Sequence, residues 1–393
     1  MDFRFINKET LPQVAKLWDY CFEKKDSAFF VWYFSRYCLQ QNKIIGGFDV
    51  EGNLTTMLHL NPYKLFLHNS IIEVPYIVGV ATDPAARGQH LIGELFSTAF
   101  TLLRAAGTPF VFLMPINAGV YLTYGFAYTY YRHGYKMPLK ALTVVCSDVA
   151  LYLRRVELIE AKQELSKVYK AAMNNYHAYV ERDARVWDNY VTASAEENLE
   201  VAIVYDGQDA IGYMIYSKEN ITFKIWELLA LTGQAKNCLL EYARGFSGTF
   251  TQLDWLAAPD DLSFINFRDQ AFTGQVTPFM MARIINVGKV LELLPVPEGC
   301  PETTFVMYVR DSFMQLNNVL IKITVTTEKL KLDNSVEIPD VTLDIETLTQ
   351  LYFGTFSVRS MLHNGKILVE KEEVVLLLEK LFPVKNNFIN EYF

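Results

Sequence analysis

The chain has 393 residues, of which 51% are hydrophobic and 14% are aromatic. This length and composition predict a globular protein of two or three domains with a large buried core. Lysine and arginine number 36 against 44 aspartates and glutamates, so the formal net charge is −8. That balance argues against a nucleic-acid partner and is compatible with a cationic substrate.

Targeting and redox features are sparse. No apolar run approaches the roughly 18 residues that a membrane-spanning helix needs, so we expect no membrane partner. The start, MDFRFINKET, has no basic segment followed by an apolar one, and we expect no export signal. The five cysteines lack C-x-x-C spacing and metal-like clustering. We interpret them as free thiols in a reducing cytoplasm and expect no bound metal.

Apolar spacing predicts the first elements. FRFI is typical of a strand, and Leu11, Val14, Leu17 and Trp18 mark one face of a helix. The aromatic segment AFFVWYFSRY follows Asp26 and is either a core helix or the wall of an acceptor pocket, with Asp26 available to hold an ammonium group. KIIGGFDV and LTTMLHLNPYKLFLHNSIIEVPYIVGV, broken by short polar turns, then predict an antiparallel meander.

The meander leads into VGVATDPAARGQHLIGELF, the run from Val78 to Phe96. Its pattern predicts a strand, a tight turn and an amphipathic helix. A helix start presents unpaired N–H groups and a positive dipole end, and Gly88 would let a phosphate approach closely. Arg87 adds a positive charge. The run is either an anion site or an ordinary strand–helix turn with an exposed arginine.

The next segments complete a first unit. PFVFLMPI predicts a strand, Asn117 a helix N-cap, and Gly125 the left-handed stop of that one-turn helix. Tyr121 lies between the two. NAGVYLTYGFAYTYYR then returns as an aromatic-rich strand.

A second α/β unit and a third region follow. DVALYLRRVELIEAKQELSKVYKAAM predicts a long helix, NLEVAIVYD and DAIGYMIY predict strands, and another helix follows. No loop of the Arg-Gly type follows these strands, so we expect no cofactor here. The last hundred residues predict the strands TTFVMYVR and VLIKITVT, a helix from Asp344 to Gly354, and a final helix, EVVLLLEKLFP.

Two motifs carry a resemblance to a known family. The hexad AARGQH, from Ala85 to His90, resembles the pyrophosphate loop of the GNAT superfamily of acyl-CoA-dependent N-acetyltransferases. YLTYGF, from Tyr121 to Phe126, resembles the Y-x-x-x-G-F element of the same enzymes. The predicted order of elements is also the GNAT order. The resemblance implies that the residues holding acetyl-CoA are Val78, Val80, Ala86, Arg87, Gly88 and Gln89.

The same resemblance assigns roles in acetyl transfer. The backbone N–H of Val80 would point at the thioester carbonyl, and Tyr121 would be the general acid. A phenol with a pKa near ~10 donates to a thiolate of pKa near ~8.5 only mildly uphill. A lysine-type amine has a pKa near ~10.4, so a base is also needed.

The layout of the whole chain is similar to the enhanced intracellular survival family of bacterial acetyltransferases, although Ala85 and Ala86 stand where its mycobacterial members carry arginines. This resemblance predicts a mixed α+β and α/β fold of tandem GNAT units followed by a sterol-carrier-protein-like α+β domain. The predicted domains are a catalytic GNAT domain at residues 1–145, a second GNAT-like domain without a cofactor loop at 146–284, and the sterol-carrier-like domain at 285–393.

The chain end supplies the remaining assignments. It finishes FINEYF, an apolar terminus that costs little to bury. On composition alone, this terminus is either packed on its own domain or buried with the Phe393 carboxylate inside the protein. By resemblance to the family, the C-terminal carboxylate of Phe393 reaches the N-terminal site as the base, and Asp26, Trp32 and Glu391 line the acceptor site. Family members assemble as hexamers, so we expect a homo-oligomer.

These features favour a cytoplasmic N-acetyltransferase that moves acetyl from acetyl-CoA to a primary amine. The resemblance implies a small-molecule polyamine such as an aminoglycoside, or a peptide lysine, as acceptor. Two other functions stay open: a non-catalytic acyl-CoA or ligand-binding protein, and a lipid carrier in which only the last domain matters. Tyr121 in its motif and the type of chain end argue against both.

Overall fold

The structure is a computed structural model that describes residues 1–144, 146–147, 150–267 and 275–392. The chain forms two compact units. The first unit comprises Met1–Tyr130, Phe279–Asn387 and Glu391–Phe393, and the second comprises Tyr131–Pro278 and Phe388–Asn390. The predicted domain boundaries after residues 145 and 284 stay predictions.

The predicted order of elements in the first 130 residues is confirmed. The elements are β1 (Asp2–Phe5), α1 (Leu11–Cys21), α2 (Ala28–Arg36), β2 (Lys43–Phe48), β3 (Leu54–Leu67), β4 (Ser70–Thr82), α3 (Leu91–Ala105), β5 (Phe110–Leu113), α4 (Ala118–Leu122) and β6 (Ala127–Pro138). Strands β1 to β4 pair antiparallel in sequence order, and β5 joins β4 in parallel. A parallel neighbour requires a crossover connection, and α3 supplies it.

Helices α1 and α3 form as their apolar spacing predicts. Helix α1 buries Val14, Leu17 and Trp18, and α3 buries a stripe that includes Leu95 and Phe96. Both stripes recur at helical spacing, so each helix presents one apolar face to the sheet. Helix α1 packs on β3 and β4 and α3 packs on β2 and β3, and the loop after β4 leads directly into the start of α3.

The second unit holds the middle of the chain. Its further elements are β7 (Leu151–Val156), α5 (Lys162–Met173), β8 (Tyr179–Val180), α6 (Ala184–Glu196), β9 (Glu200–Asp206), β10 (Asp209–Glu219), β11 (Thr222–Ala230), α7 (Gly233–Arg244), β12 (Gln252–Ala257) and the start of β13 (Gln275–Ile284). Strands in this unit run in the order β6-β12-β11-β10-β9-β7. Only the β11–β12 pair among these described ladders is parallel.

Two predictions for this unit are wrong. The long helix predicted from DVALYLRRV is instead strand β7 followed by α5, because Leu151 and Leu153 alternate with exposed residues, which is a strand pattern. Cys146 and Cys238 form a disulfide, with their Cα atoms 4.6 Å apart, so they are not free thiols. They lie 92 residues apart in sequence, a proximity that the spacing of cysteines does not reveal.

The last region returns to the first unit. It contains α8 (Val287–Leu293), β14 (Thr303–Arg310), β15 (Val319–Val325), β16 (Leu330–Asn334), β17 (Val341–Asp344), α9 (Ile345–Tyr352), α10 (Val358–His363), β18 (Ile367–Val369) and α11 (Glu372–Leu381). Its sheet has the order β16-β15-β14-β17-β18. The predicted strands and helices here are confirmed. No helix in the described ranges is both long enough and apolar enough to span a membrane.

Candidate active site

The loop after β4 turns tightly before it enters α3. Asp83 begins a short turn, and its Oδ1 accepts a hydrogen bond from the Ala85 N–H at 2.9 Å. Gly88 follows with φ of +84°, and a Cβ on it would meet nothing within 4 Å. Glycine is therefore favoured there by its backbone conformation alone. The predicted loop residues are all at least partly exposed: Ala86, Arg87, Gly88 and Gln89.

Helix α3 begins directly after this loop. His90 occupies its N-cap position and, within the described residues, makes no capping side-chain hydrogen bond. The first N–H groups of the helix and the positive end of its dipole are therefore left for an anion. Burial raises the pKa of the Cys21 thiol at the end of α1, and Arg87 beside it opposes that rise.

A β-bulge shapes the edge of β4 before the loop. The register of β4 against β3 shifts by one residue between Val78 and Ala81, so Gly79 and Val80 lie in the bulge. Gly79 has φ of +58°, and a Cβ there would stand 2.5 Å from Cζ3 of Trp18. The position therefore excludes larger side chains. Val78 is buried and Val80 is half-buried.

Strands β4 and β5 pair in parallel just before the bulge. The described ladder between them is the pair Tyr76 and Phe112. The bulge at Gly79 and Val80 lies three and four residues after Tyr76, on the strand edge where the thioester carbonyl was predicted to lie.

Tyr121 lies on the short helix α4. Asn117 caps this helix by accepting a hydrogen bond from the Gly119 N–H at 3.0 Å, and Gly125 ends the turn with φ of +78°. Both features confirm the sequence interpretation of the helix. The Tyr121 ring contacts Phe96 edge-on, with ring centroids 6.1 Å apart. Burial raises the pKa of Tyr121, so its phenol is protonated at neutral pH.

Tyr76 connects this region with the end of the chain. Its hydroxyl donates a hydrogen bond to the Glu391 carbonyl oxygen at 3.3 Å. The pKa of Tyr76 is raised well above its ordinary value by burial, by the Glu391 carboxylate, and by the phenols of Tyr392 and Tyr121. Tyr121 and the chain end therefore lie close enough to the same buried phenol to act on it electrostatically. Phe393, the predicted base, lies outside the described residues.

The predicted acceptor residues occupy different environments. Asp26 is exposed just before α2, whose first turn is capped by the Ser27 hydroxyl. Trp32 is only 5% exposed and packs beside the Phe29 ring, with centroids 5.8 Å apart. Glu391 is 3% exposed. Trp32 thus lies on the packed face of α2, as a core helix requires, while Asp26 faces solvent.

Buried polar side chains behind the bulge were not predicted. Tyr33 Oη lies 2.9 Å from His59 Nδ1, and Asn42 Nδ2 donates to both Tyr33 Oη and Asn61 Oδ1. Burial lowers the pKa of His59 to about 3, so its ring is neutral. Within the described residues, His59 Nε2, Asn61 Nδ2 and Trp18 Nε1 have no hydrogen-bond partner. A polar niche therefore lies behind Gly79.

A buried ion pair supports the turn that carries Tyr121. Arg283 on β13 donates from Nε to the Tyr124 carbonyl at 2.8 Å and from Nη2 to Asp311 Oδ2 at 2.6 Å. A Cβ on Gly125 would stand 2.8 Å from Arg283 Nε. Both side chains of the ion pair are fully buried. The last region of the chain thus supplies a charge that holds the turn after Tyr121.

The described residues contain no group of three or more His, Cys, Asp or Glu side chains placed to hold a metal ion. The groups described above are an exposed loop ahead of a helix start, a strand edge with a bulge, and a phenol that burial keeps protonated. An adjacent buried chain end completes the arrangement. Together they suit transfer of an acyl group from a phosphate-bearing carrier.

Comparisons with known proteins identify the domains of the chain. Residues 2–129 match an acetyltransferase (GNAT) domain family, residues 178–284 match a second one, and residues 287–390 match a sterol carrier protein domain family. No curated protein matches the sequence at a significant level.

Solved structures share the fold over the full chain. A protein from Enterococcus faecalis described as a "probable N-acyltransferase" is 23% identical, with all of both chains covered and a TM-score of 0.88. A GCN5-related N-acetyltransferase from Anabaena variabilis is 19% identical, with both chains fully covered and a TM-score of 0.82. Eis1 from Mycobacterium abscessus is 16% identical, also with full coverage of both, at 0.72.

The domain matches and the site define the class, which is the acetyltransferases of the GNAT type. Within that class, this enzyme carries two GNAT domains followed by a sterol carrier protein domain. The predicted tandem layout is confirmed. GNAT domains use acetyl-CoA as co-substrate, and the open loop at Gly88 and the uncapped start of α3 fit its pyrophosphate.

Proposed function

We propose that this acetyltransferase moves acetyl from acetyl-CoA to a primary amine by direct attack, with Tyr121 as general acid and the Phe393 carboxylate as base. The observation that carries the proposal is the position of Tyr76. Its hydroxyl donates to the Glu391 carbonyl, and Tyr121 and Glu391 both raise its pKa. Tyr121 and Glu391 are therefore both close to the buried phenol of Tyr76. Glu391 lies two residues before Phe393.

The loop and the bulge would bind the co-substrate. Arg87 and the N–H groups at the start of α3 hold the pyrophosphate, while Ala86, Gly88 and Gln89 let it approach the backbone. Val78 and the N–H of Val80 lie at the strand edge that receives the acetyl group. Acetyl-CoA supplies an acyl group activated as a thioester.

The transfer then needs two proton movements. The amine nitrogen bonds to the acetyl carbon as the carbon–sulfur bond breaks, and Tyr121 gives its proton to the departing sulfur. The Phe393 carboxylate takes the proton that the amine loses, directly or through one water. A carboxylate of pKa near ~3.5 becomes a stronger base when it is desolvated, which burial of the apolar terminus favours. Both groups exchange protons with solvent before the next cycle.

The acceptor is proposed to be a polyamine, such as an aminoglycoside, or a lysine side chain. Exposed Asp26 would attract the cation, and Glu391 would add negative charge beside Tyr76. Trp32 is proposed for the same wall on the strength of the family resemblance.

The test is release of CoA with spermidine as acceptor. Tyr121→Phe should lower kcat by about 100-fold or more, since general acids contribute about that much, with the Kd for acetyl-CoA nearly unchanged. Tyr128→Phe is the matched control, because this half-buried tyrosine lies on β6, seven residues further along. A chain extended by four residues past Phe393 should also lose most turnover. A protein that only binds acyl-CoA would release none in any variant.

The family resemblance also supports a homo-oligomer, with six chains as the expected number. Light scattering on the full-length protein measures the mass directly. A monomeric mass would remove this part of the proposal without affecting the acid and base assignments.

A further inference from the structure

The second unit repeats the strand–helix–strand motif of the first. Strands β11 and β12 are parallel and joined by α7, as β4 and β5 are joined by α3. The β11–β12 ladder runs from Thr222 and Gln252 to Ile225 and Trp255. The register of β11 against β10 shifts at the next residue, Trp226, which therefore lies in a bulge. The second unit thus has its own opening at the place where the first unit is proposed to bind the thioester.

The chain's own residues Phe388–Asn390, which we call the tail segment, fill this opening. Asn390 Nδ2 donates to the Trp226 carbonyl at 3.0 Å, on the β11 side. Arg132 donates to the Leu256 carbonyl at 2.9 Å on the β12 side, and to the Ile389 carbonyl at 2.7 Å. The tail segment therefore bridges the two strands just beyond the point where their ladder ends.

A buried charge network anchors the segment. Both oxygens of Glu227 are bonded to Arg182, at 2.9 and 2.8 Å, and Tyr213 donates to the same carboxylate at 2.6 Å. Asn390 donates the remaining hydrogen bond, at 2.9 Å. Burial would raise the pKa of Glu227, but Arg182, Tyr213 and Asn390 together hold it below its ordinary value. A buried carboxylate needs each of these donors, so the network is complete only with the tail in place.

Apolar packing holds the same segment. Phe388 is 1% exposed, belongs to the core of the second unit, and lies 4.9 Å from the Tyr176 ring. The Arg132 guanidinium lies 4.8 Å from the centre of the Phe388 ring, within the range of a cation–π contact. Ile389 and Asn390 are each 1% exposed. Three consecutive residues near a chain terminus are thus fully buried, whereas termini are usually frayed.

We propose that the opening of the second GNAT domain is a binding site for the chain's own C-terminal segment in place of acyl-CoA, and that it fixes the chain three residues before its end. Asn390, Arg132 and Glu227 are then positioning residues for the terminal carboxylate. The binding itself follows from the contacts of the second unit. Its catalytic consequence rests on the proposed role of Phe393.

The first measurement is the release of the C-terminal phenylalanine by carboxypeptidase A from the full-length folded protein. Asn390→Ala removes three hydrogen bonds to the tail segment, and we expect release about tenfold faster or more, since each bond contributes about a factor of five. Phe388→Leu, which keeps an apolar side chain, should also accelerate release. The control is Val384→Ala, at a residue that is 57% exposed, and should match the native rate. Equal rates for native protein and Asn390→Ala would overturn the proposal.

The second measurement is the stoichiometry of acetyl-CoA by calorimetry. One molecule per chain is expected in the native protein, and two would show that the second opening accepts the co-substrate after all. The third is kinetic: Asn390→Ala should lower kcat for CoA release while leaving the KM for acetyl-CoA near the native value. Faster phenylalanine release with unchanged kcat would keep the anchoring site and overturn the role of Phe393 as base.

Discussion

Asp311→Asn is the sharpest test of how the turn carrying Tyr121 is held. In the native protein both Asp311 oxygens are occupied by donors. Oδ2 accepts from Arg283 Nη2 at 2.6 Å and from Asn317 Nδ2 at 3.0 Å, while Oδ1 accepts from two backbone N–H groups of the following loop. An amide NH₂ at either position would therefore face a donor. The substitution removes the charge and also creates a donor–donor conflict.

The expected loss of stability follows from burial. Arg283 and Asp311 both have fully buried side chains, and Arg283 would be left as an uncompensated buried cation. Breaking a buried pair in this way costs about 3–5 kcal/mol. For a unit of about 240 residues, each kcal/mol shifts Tm by about 2–4 °C, so a fall of about 6–20 °C is expected. Burial lowers the pKa of Arg283 and the Asp311 carboxylate opposes that shift, so the native ion pair favours the charged guanidinium that binds the Tyr124 carbonyl.

The assay combines thermal unfolding with kinetics of CoA release below Tm. Because Arg283 Nε binds the Tyr124 carbonyl, a displaced guanidinium should loosen the turn and lower kcat, with the KM for acetyl-CoA little changed. Asp344→Asn is the control, since its ion pair with Arg310 is half-exposed and contributes at most about 1 kcal/mol. If Asp311→Asn unfolds within 2 °C of Asp344→Asn and keeps native kcat, the ion pair does not support the turn.

Two further predictions concern the loop and the buried histidine. Gly88→Ala places a side chain at a residue with φ of +84°, which costs about 1–2 kcal/mol of backbone strain. It should weaken acetyl-CoA binding about tenfold, as measured by calorimetry. The control Gly207→Ala, at φ of +59° with equally open surroundings, should leave the Kd for acetyl-CoA unchanged. Burial lowers the pKa of His59 to about 3 in the folded protein, whereas the same imidazole has a pKa near ~6.5 in the unfolded chain. As the pH falls from 6.5 towards 3, His59 is protonated in the unfolded chain and not in the folded protein, so stability is lost. The free energy of unfolding, measured with urea, should therefore differ between pH 7 and pH 4, and His59→Leu should reduce that difference by about 3 kcal/mol. An unchanged difference would show that His59 is not buried in its neutral form.

The elements of this fold were predictable where one periodicity dominates. Helices α1, α3 and α11 follow from apolar spacing, and the cap at Asn117 with the stop at Gly125 follows from local backbone chemistry. Strand β7 was not predicted because LYLRRV is short, and over so few residues its apolar spacing fits both a helix and a strand. The strand β9 with which it pairs lies about 50 residues later in the sequence, so the segment itself does not reveal the pairing.

The local part of the candidate site was predictable, and its supports were not. The hexad around Gly88 and the element around Tyr121 are contiguous in sequence, so their chemistry can be read directly. The ion pair of Arg283 with Asp311 joins residues 28 positions apart, and Arg283 contacts Tyr124, which is 159 positions away. A charged residue inside an apolar strand, such as Arg283 in QVTPFMMARI or Glu227 in TFKIWELLA, is the sequence signal that was available.

The role of the last domain can be argued from the same contacts. A cavity of about 570 Å³ in the first unit is lined by polar and charged residues: Tyr308, Arg310, Asp311, Ser312, Gln315, Asn318, Asp344 and Glu346. An apolar acyl chain placed there would desolvate these groups without offering them hydrogen bonds, which is costly. This cavity therefore does not suit the lipid-carrier alternative. Asp311 meanwhile binds Arg283, and Gln350 on α9 donates to the Tyr128 carbonyl on β6 at 3.1 Å. These contacts show that the last domain supports the turn and the strand around Tyr121.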